Sequence, residues 1–530
     1  MFYSDKPIFT NKEDLFHRSE FAKLLAQSFN GFKIEDTFTV GLFGKWGSGK
    51  TSLVNMMLEE LNNCQKNVKD EDKITTVHFN PWNFSNTDQL LTQFFIHLSN
   101  IFKSKTGKKM KEIGKALVKY TNAFKVIDFI PGFREALSHM NDLGNALQNK
   151  LDEKDILKQK ENVVNLLKQQ KSRILIIIDD IDRLSNEQIR QIFQLITSVA
   201  NFPNTMYLLA FDKEIVVKAL KKVQEGSGED YLEKIIQIPI QIPDIHKVEL
   251  RKILIDRLNK IIDNDEKIHL STHSGQKIHL NYIEPFIQNL RDINRLCNLV
   301  KFKLTTIASE VCFADMVAIS AVEIRFPAIY EWIKTNKDLL TGNDLRSTMM
   351  KISSEEMYKI CKNEISSVLK SEESGEANII IEFLSNLFPY FGCNIGKVSN
   401  FCDWKNLLKN NHIAHPEKFD RYFQLSLDYV SIKKQDVLSA VYKLNHADLK
   451  SLLLEKDKYN NSYELLEEIK AMISEISGDR AKIIAEVLHA NSNKLDSSSH
   501  RGFLYMSSEE YAEDLILDLI YKIEPDERLY

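Results

Sequence analysis

The sequence lacks the cysteine patterns and leader segments that mark metal-binding, redox and secreted proteins. None of its six cysteines lies in a C-x-x-C pair, which argues against a zinc ribbon and against a redox motif. The N-terminus has no basic stretch followed by an apolar one, so no signal peptide is predicted. We therefore expect a cytoplasmic protein with reduced thiols. The cysteines are Cys64, Cys297, Cys312, Cys361, Cys393 and Cys402.

Glycine, proline and long apolar runs are also scarce. The 530 residues include 18 glycines and 11 prolines, which favours a helix-rich fold with short connections over a β-sandwich. No apolar run reaches the length of about 18 residues that a membrane-spanning helix needs, so no integral membrane segment is predicted. The net charge of −4 gives the whole molecule no attraction for nucleic acid. The length suggests about three domains.

One short segment carries a strong signal. Residues Gly44 to Thr51 match the pattern G-x-x-x-x-G-K-[ST], between a predicted strand at 37–43 and a predicted helix that starts at Ser52. In this context, backbone N–H groups and the helix N-terminus can surround nucleotide phosphates. Lys50 is expected to reach the β- and γ-phosphates, and Thr51 to bind Mg²⁺ through its hydroxyl. The predicted nucleotide-binding residues are Gly44, Lys45, Trp46, Gly47, Ser48, Gly49, Lys50, Thr51 and Ser52.

An acidic strand supplies the second half of such a site. Five aliphatic residues, 174–178, are typical of a parallel strand buried on both faces, and Asp179 and Asp180 follow at its carboxyl end. Asp179 is the candidate Mg²⁺ ligand and Asp180 the candidate general base. The other interpretation is a core strand with two capping aspartates. Asp182 and Arg183 form a local ion pair in one interpretation, whereas Arg183 contacts phosphate in the other.

A further strand is predicted at 205–211 and ends before Asp212. Asp212 lies where a residue could sense the γ-phosphate, but it could equally form the N-cap of a following helix.

Several phrases, in a fixed order, resemble the KAP family of P-loop NTPases. They are Gly44–Thr51, Phe79-Asn80-Pro81-Trp82, Asp179–Arg183, Leu209–Asp212, Tyr231–Pro239, Arg291–Arg295 and His415–Phe423. The resemblance implies an additional-strand ATPase core, ATP as the nucleotide and a helical lid. Many members are bacterial, and several act in phage exclusion. Many relatives carry transmembrane helices between the phosphate loop and the acidic strand, whereas this chain has a charged, helical insert at about 100–170.

The predicted fold is therefore α/β, with a parallel P-loop sheet covered by helices on both faces, followed by an α-helical lid and a helical C-terminal domain. The expected boundaries are 1–245 for the ATPase core, 246–335 for the lid and 336–530 for the C-terminal domain. Arg291 and Arg295 lie one helical turn apart, where they could bind the γ-phosphate when the lid closes. Alternatively, they form surface ion pairs with Asp292 or a neighbour.

The insert begins with a cluster of lysines that could bind nucleic-acid phosphates or an anionic lipid surface. The alternative is a solvated helix face. The lysines are Lys103, Lys105, Lys108, Lys109, Lys111, Lys115 and Lys119.

The C-terminal end shows the clearest helix signal. Ser507 and Glu510 can form a capping box, and apolar residues from Leu515 to Ile523 then recur on one helix face. This helix either docks on the body of the protein or presents its apolar strip to a partner. His412 and His415 are expected to be structural.

Three functions fit these observations. The first is Mg²⁺-dependent ATP hydrolysis that drives a conformational or assembly switch in a bacterial anti-phage system, through self-association or a partner effector protein. The second is an ATPase stimulated by nucleic acid bound to the lysine-rich insert. The third is a scaffold that keeps ATP without hydrolysing it, because Asp180 is shorter than the glutamate commonly found at this position.

Overall fold

The computed structural model of the chain describes residues 2–32, 36–69, 72–84, 90–104, 108–127, 152–170, 172–223, 227–263, 280–342, 352–370, 374–398, 403–424, 432–497 and 506–524. The chain divides into two compact units. The N-terminal unit is Asp5–His246, and the C-terminal unit combines Met1–Ser4 with Lys247–Tyr530. The boundary expected near residue 335 stays a prediction.

A parallel sheet forms the centre of the N-terminal unit. Its strands are β1 (Phe38–Phe43), β2 (Thr75–Phe79), β3 (Ile174–Ile178), β4 (Thr205–Phe211) and β5 (Ile238–Gln241). Their order across the sheet is β2-β3-β4-β1-β5, and all neighbours pair in parallel. Strand β4 thus lies between β1, which leads into the glycine loop, and β3, which leads into the carboxylates. This position is that of the additional strand implied by the family resemblance.

Strand β3 shows why an unbroken aliphatic run is needed here. Successive side chains of a strand point to opposite faces of the sheet. Ile174, Ile176 and Ile178 contribute to the core on one face, while Leu175 and Ile177 contribute to the core on the other. A polar residue at any of these positions would be buried, so the run is required by helices on both faces.

Helices cover both faces of the sheet, which confirms the predicted fold class. Helices α1 and α2 bury Phe29, Leu53 and Met57 against one face. The remaining helices pack on the other face. The helices of this unit are α1 (Ser19–Gly31), α2 (Lys50–Cys64), α3 (Leu90–Ser104), α4 (Lys108–Ile127), α5 (Asp152–Lys168), α6 (Asn186–Gln194), α7 (Lys213–Val223) and α8 (Gly228–Glu233).

The insert is helical where the structure describes it. Helix α4 places Ile113, Leu117 and Tyr120 in the core on the α3 side of the sheet. Tyr120 donates a hydrogen bond of 3.1 Å from its hydroxyl to the carbonyl oxygen of Val199, so the buried phenol has a partner. Among the described residues, none of the helices is both apolar enough and long enough to cross a bilayer.

The C-terminal unit consists of helices throughout its described residues. Local signals set several helix starts, such as Pro327 at the first position of one helix and the Ser353–Glu356 capping box of another. The helices are α9 (Lys247–Asp263), α10 (Leu280–Ile283), α11 (Leu290–Ile307), α12 (Phe313–Arg325), α13 (Pro327–Thr335), α14 (Lys337–Thr341), α15 (Ser354–Leu369), α16 (Ser374–Leu387), α17 (Pro389–Asn394), α18 (Trp404–Lys409), α19 (Pro416–Phe419), α20 (Lys434–Tyr442), α21 (His446–Lys458), α22 (Ser462–Ala471), α23 (Gly478–His489) and α24 (Ser508–Ile520).

Helix α24 docks on its own unit. The predicted capping box of Ser507 and Glu510 is present. Leu515 and Leu519 are fully buried in a core shared with helices α20 to α23. On the acidic side of the helix, Asp514 and Asp518 both pair with Lys470. The docking interpretation is therefore confirmed.

Candidate nucleotide site

The loop between β1 and α2 requires glycine for two different reasons. Gly47 and Gly49 have φ angles of 82° and 90°, in the left-handed region where a side chain is strained. At Gly44, an added Cβ would lie 2.5 Å from the Ser48 hydroxyl oxygen and 3.1 Å from Ile242, so any residue larger than glycine would clash there. The backbone of the loop can therefore approach a ligand closely on its open side.

Lys50 is held inside this loop. It is the first residue of α2, and its ammonium group donates a 2.9 Å hydrogen bond to the carbonyl oxygen of Gly44. A carboxylate oxygen of Asp182 lies 3.6 Å from the same nitrogen, and both side chains are almost completely buried. The first N–H groups of α2 have no acceptor within the helix, so positive charge and backbone donors meet in one place.

Thr51 and Asp179 meet across the sheet edge. The Thr51 hydroxyl donates a 2.6 Å hydrogen bond to Asp179 Oδ2, although the two residues lie far apart in the sequence. Burial raises the pKa of the Asp179 carboxyl above its ordinary value, and the hydrogen bond from Thr51 opposes this effect only in part. The backbone N–H of Asp180 donates to the other Asp179 oxygen at 2.8 Å. The structure thus brings the two residues predicted as metal ligands into contact.

Both oxygens of the Asp180 carboxylate are engaged. Asn80, directly after β2, donates from its side-chain amide to Asp180 Oδ2 at 2.9 Å. The guanidinium of Arg183 lies 2.9 Å from Oδ1. The expected ion pair between Asp182 and Arg183 is wrong, because Arg183 pairs with Asp180 and Asp182 pairs with Lys50. The short helical turn at Ile181–Arg183 folds the Arg183 side chain back towards Asp180.

Two contacts near the site were not predicted from sequence. Arg18 precedes α1, is 7% exposed, and donates to the carbonyl oxygens of Ser48 and Pro243. It therefore ties the glycine loop to the segment that follows β5. Asn80 belongs to one of the family phrases, but no local pattern indicated its contact with Asp180. Arg18 lies in no motif at all, so the sequence offered no signal for it.

A comparison with family models decides the class of protein. The model described as the KAP family P-loop domain matches residues 18–306, more than half of the chain. The chain belongs to the KAP family. The KAP match contains the glycine loop, the acidic strand and α11.

Among curated proteins, the KAP chain is similar to the phage T7 exclusion protein of Escherichia coli (strain K12). The two are 22% identical over 349 residues, which cover 60% of this chain and 46% of the relative. The chain thus spans about half the length of that protein.

Solved structures align with the chain at low similarity. One is the Aeropyrum pernix ORC2 protein in ADPNP–ADP complexes, with 12% identity, coverage of 72% of this chain and 86% of that chain, and a TM-score of 0.31. Another is the Aeropyrum pernix ORC1 protein in complex with DNA, with 14% identity, coverage of 71% and 84%, and a TM-score of 0.29. TM-scores this low carry no argument about the function of the KAP chain.

The remaining predicted residues of the KAP domain take varied positions. Trp46 is exposed in the glycine loop. The Ser52 hydroxyl accepts a hydrogen bond from the N–H of Ile8, so only its backbone faces the loop. Asp212 accepts a 3.1 Å bond from the N–H of Glu214 at the start of α7, which is the predicted N-cap.

Arg291 and Arg295 lie in the other compact unit, on α11. Arg295 is exposed and Arg291 is half-buried. Asp292, one of the ion-pair partners considered for them, forms a capping box with Asn289 at the start of this helix. A contact of either arginine with nucleotide stays a prediction.

The donor set of the loop fits a magnesium nucleotide. Ser48 Oγ and Asp182 Oδ1 are buried without a hydrogen-bond partner, and both lie in the segments that surround Lys50. Buried polar atoms normally have partners, and a magnesium nucleotide with its bound water could supply them for these two atoms. The hydroxyl of Thr51 and the carboxylate of Asp179 are hard oxygen donors of the kind that Mg²⁺ prefers.

Proposed function

We propose that the chain binds ATP with Mg²⁺ at the loop Gly44–Thr51 and hydrolyses its terminal phosphate. The observation that carries the proposal is the 2.6 Å contact between Thr51 and Asp179 beside the buried ammonium of Lys50. This contact joins the end of β3 to the start of α2, and it places oxygen donors next to the lysine that would bind phosphate.

Each residue has a distinct task in this proposal. Lys50 and the N–H groups at the start of α2 bind the phosphate oxygens, and Lys50 exchanges its contact with the Gly44 carbonyl for the ligand. Thr51 and Asp179 hold the cation, which neutralises charge that develops on the phosphates. Asp180 accepts a proton from the attacking water.

In this conformation hydrogen bonds from Asn80 and Arg183 fix the orientation of the Asp180 carboxylate, with one contact on each oxygen. We infer that this is a resting state with low turnover. Release of Asp180 from Asn80 would let the carboxylate turn towards the attacking water. Arg291 or Arg295 is the candidate to contact the γ-phosphate from the C-terminal unit and so couple hydrolysis to a change of conformation.

Equilibrium binding tests the nucleotide site itself. We expect calorimetry to show that ATP binds the wild type more tightly with Mg²⁺ than with a chelator, and that Lys50→Ala weakens binding at least tenfold. Thr51→Ala should remove the effect of Mg²⁺. Ser52→Ala is the matched control, because that hydroxyl faces Ile8 rather than the ligand. Equal ATP affinity in the wild type and Lys50→Ala would refute the site.

The biological role that we propose is that of an ATPase in bacterial defence against phage, acting with a second copy or with a partner effector protein. Support comes from the family and from the name of the E. coli relative. Plaque counts on a bacterial host that expresses the chain should fall, and Lys50→Ala should restore them. Protection that persists in Lys50→Ala would separate the defence role from the nucleotide.

A second candidate function rests on α4. Its lysines up to residue 119 are exposed, and Lys111, Lys115 and Lys119 form a stripe at four-residue spacing on the side opposite Ile113 and Leu117. Lys105 lies outside the described residues. Such a stripe suits the phosphates of a nucleic acid, whose binding would stimulate hydrolysis.

Charge reversal tests this second function. If the stripe is the binding site, changing Lys111, Lys115 and Lys119 to Glu abolishes stimulation by DNA or RNA. Reversal of Lys218, Lys221 and Lys222, which are exposed on α7, is the control for charge alone. Stimulation that is absent in the wild type, or equally lost in both variants, would exclude the stripe as a specific site.

A further inference from the structure

A cluster of three metal-ligand side chains lies in the C-terminal unit, on segments far apart in the sequence. Cys312 and Asp315 belong to the start of α12, as its N-cap and third residue. His412 lies in the turn between α18 and α19. One ligand atom from each residue lies within 4.8 Å of the other two.

The backbone around the cluster holds these residues in place. The N–H of Cys312 donates to the carbonyl oxygen of Asn411 at 3.1 Å, and the N–H of Ile413 donates to Asp315 Oδ2 at 2.8 Å. The buried Tyr422 hydroxyl accepts from the Cys312 N–H and donates to the Asn411 carbonyl at 2.6 Å. The turn that carries His412 is thus fixed to the start of α12, which is the pre-organisation that a ligand site needs.

N-terminal capping of α12 does not explain why residue 312 is a cysteine. Ser, Thr, Asp and Asn are the usual N-cap residues, and Cys312 makes no side-chain capping bond. Nucleophilic use of the thiol does not explain it either, since the residue is 0% exposed. The thiol makes a side-chain hydrogen bond with His412, whose Nδ1 also lies 2.9 Å from Asp315 Oδ2, so sulfur, nitrogen and oxygen converge in one small cluster.

We propose that Cys312, Asp315 and His412 form a zinc site, in which sulfur, one carboxylate oxygen and one imidazole nitrogen hold the ion and water takes a fourth position. This mixed donor set suits zinc, whereas Mg²⁺ and Ca²⁺ prefer oxygen alone. Tetrahedral zinc places its ligand atoms about 3.3 to 3.7 Å apart, so the contact between His412 and Asp315 has to lengthen by about half an ångström. The His412 side chain is 22% exposed, which leaves a route for the ion and for water.

Cobalt is the probe of choice, because Co²⁺ replaces zinc and a thiolate ligand adds a charge-transfer band in the near ultraviolet. We expect the full chain, stripped of metal, to take up one Co²⁺ with that band, and zinc to displace it. Cys312→Ser should abolish the band, and His412→Gln should weaken cobalt binding at least tenfold. Cys361→Ser, which changes another buried cysteine of this unit, should leave the band intact. Asp315 is left unchanged because it also binds the Ile413 N–H.

Thermal unfolding separates loss of the metal from loss of the fold. Zinc should raise the Tm of the wild type and of Cys361→Ser, but should leave the Tm of Cys312→Ser unchanged. Lys50→Ala should bind cobalt as the wild type does, so that a failed nucleotide site leaves this result unaffected. No thiolate band in the wild type, or a band that persists in Cys312→Ser, would overturn the proposal.

Discussion

At the scale of single residues, the proposed resting state of the site depends on Asp180. Its φ angle of 61° lies in the left-handed region, where a non-glycine residue is uncommon. This conformation accompanies the contacts of the carboxylate with Asn80 and Arg183. A strained residue with both oxygens engaged is consistent with a group that is held until a ligand or a partner releases it.

Removal of the Asn80 amide should therefore raise the basal rate. We expect Asn80→Ala to increase ATP turnover severalfold, because the Asp180 carboxylate is no longer held by the Asn80 amide and can turn towards water. The measurement is steady-state phosphate release at saturating ATP. Asn83→Ala, at an exposed position nearby, serves as the control and should match the wild type. A rate below that of the wild type would show that Asn80 positions Asp180 for catalysis instead.

Lys434 gives a second prediction at this scale, concerning stability. Burial lowers the pKa of its ammonium to about 8, against the opposing effect of Glu310. From that pH up to the ordinary lysine value, the unfolded chain keeps the proton and the folded chain releases it. The unfolded state then binds more protons, so the contribution of Lys434 to stability rises with pH, by up to about 1.4 kcal/mol per pH unit.

Comparison with Lys434→Met isolates this effect from other titrating groups. The free energy of unfolding of the wild type should gain on the order of 1 kcal/mol relative to Lys434→Met between pH 8 and 9.5, measured by denaturant titration. Lys433→Met, at the exposed neighbouring position, should show a constant difference from the wild type. A wild-type advantage over Lys434→Met that does not change with pH would contradict the prediction.

Sequence reasoning at the residue scale succeeded where a motif fixes both residue type and spacing. Thr51 and Asp179 were predicted to share one ion, and the structure brings them into contact. Asn80 reaches the site because the sheet order places β2 beside β3, and Arg18 reaches it because α1 packs with α2. Contacts of this kind produce no pattern in the sequence from which they could be predicted.

At the scale of elements, the sequence predicted the strands of the site well. The apolar runs placed β3 and β4 at their observed bounds, because strands buried on both faces are built mainly from apolar residues. The capping box predicted the start of α24. The strand order, with β4 between β1 and β3, was not predicted, since it depends on packing between distant segments.

The contact between α3 and α4 gives a prediction in which two effects oppose each other. Alanine stabilises a helix by about 1 kcal/mol relative to glycine. At Gly114, however, a Cβ would lie 2.9 Å from the carbonyl oxygen of Ser99 and 2.9 Å from Lys103 Cγ. Forcing an extra methyl group into a packed interface costs about 1 to 3 kcal/mol, so Gly114→Ala should lower the free energy of unfolding.

Gly375, in α16, provides the matched control. A Cβ there would have nothing within 4 Å, so Gly375→Ala should raise stability by roughly 0.5 to 1 kcal/mol. Denaturant titration of both variants measures the two free energies of unfolding. If Gly114→Ala is as stable as Gly375→Ala, the close packing of α3 on α4 is not rigid.

At the scale of the whole molecule, the chain combines a nucleotide-binding type of sheet unit with a helical unit. The family match extends from the first unit into α11 of the second, so the KAP domain includes part of both units. The proposed zinc site and the candidate arginines lie in the second unit, whereas the proposed ATP site lies in the first. The proposed role of ATP hydrolysis is to drive a change of conformation that involves both units.

The central claim is that ATP is hydrolysed at the glycine loop with Asp180 as the base. Phosphate release by the purified chain tests it most directly, beside Lys50→Ala and Asp180→Asn. We predict slow Mg²⁺-dependent turnover by the wild type, and turnover reduced to background in both variants, while Asp180→Asn still binds ATP. Tight ATP binding by the wild type without any turnover, even after Asn80→Ala, would contradict the account and leave a scaffold that uses ATP as a structural ligand.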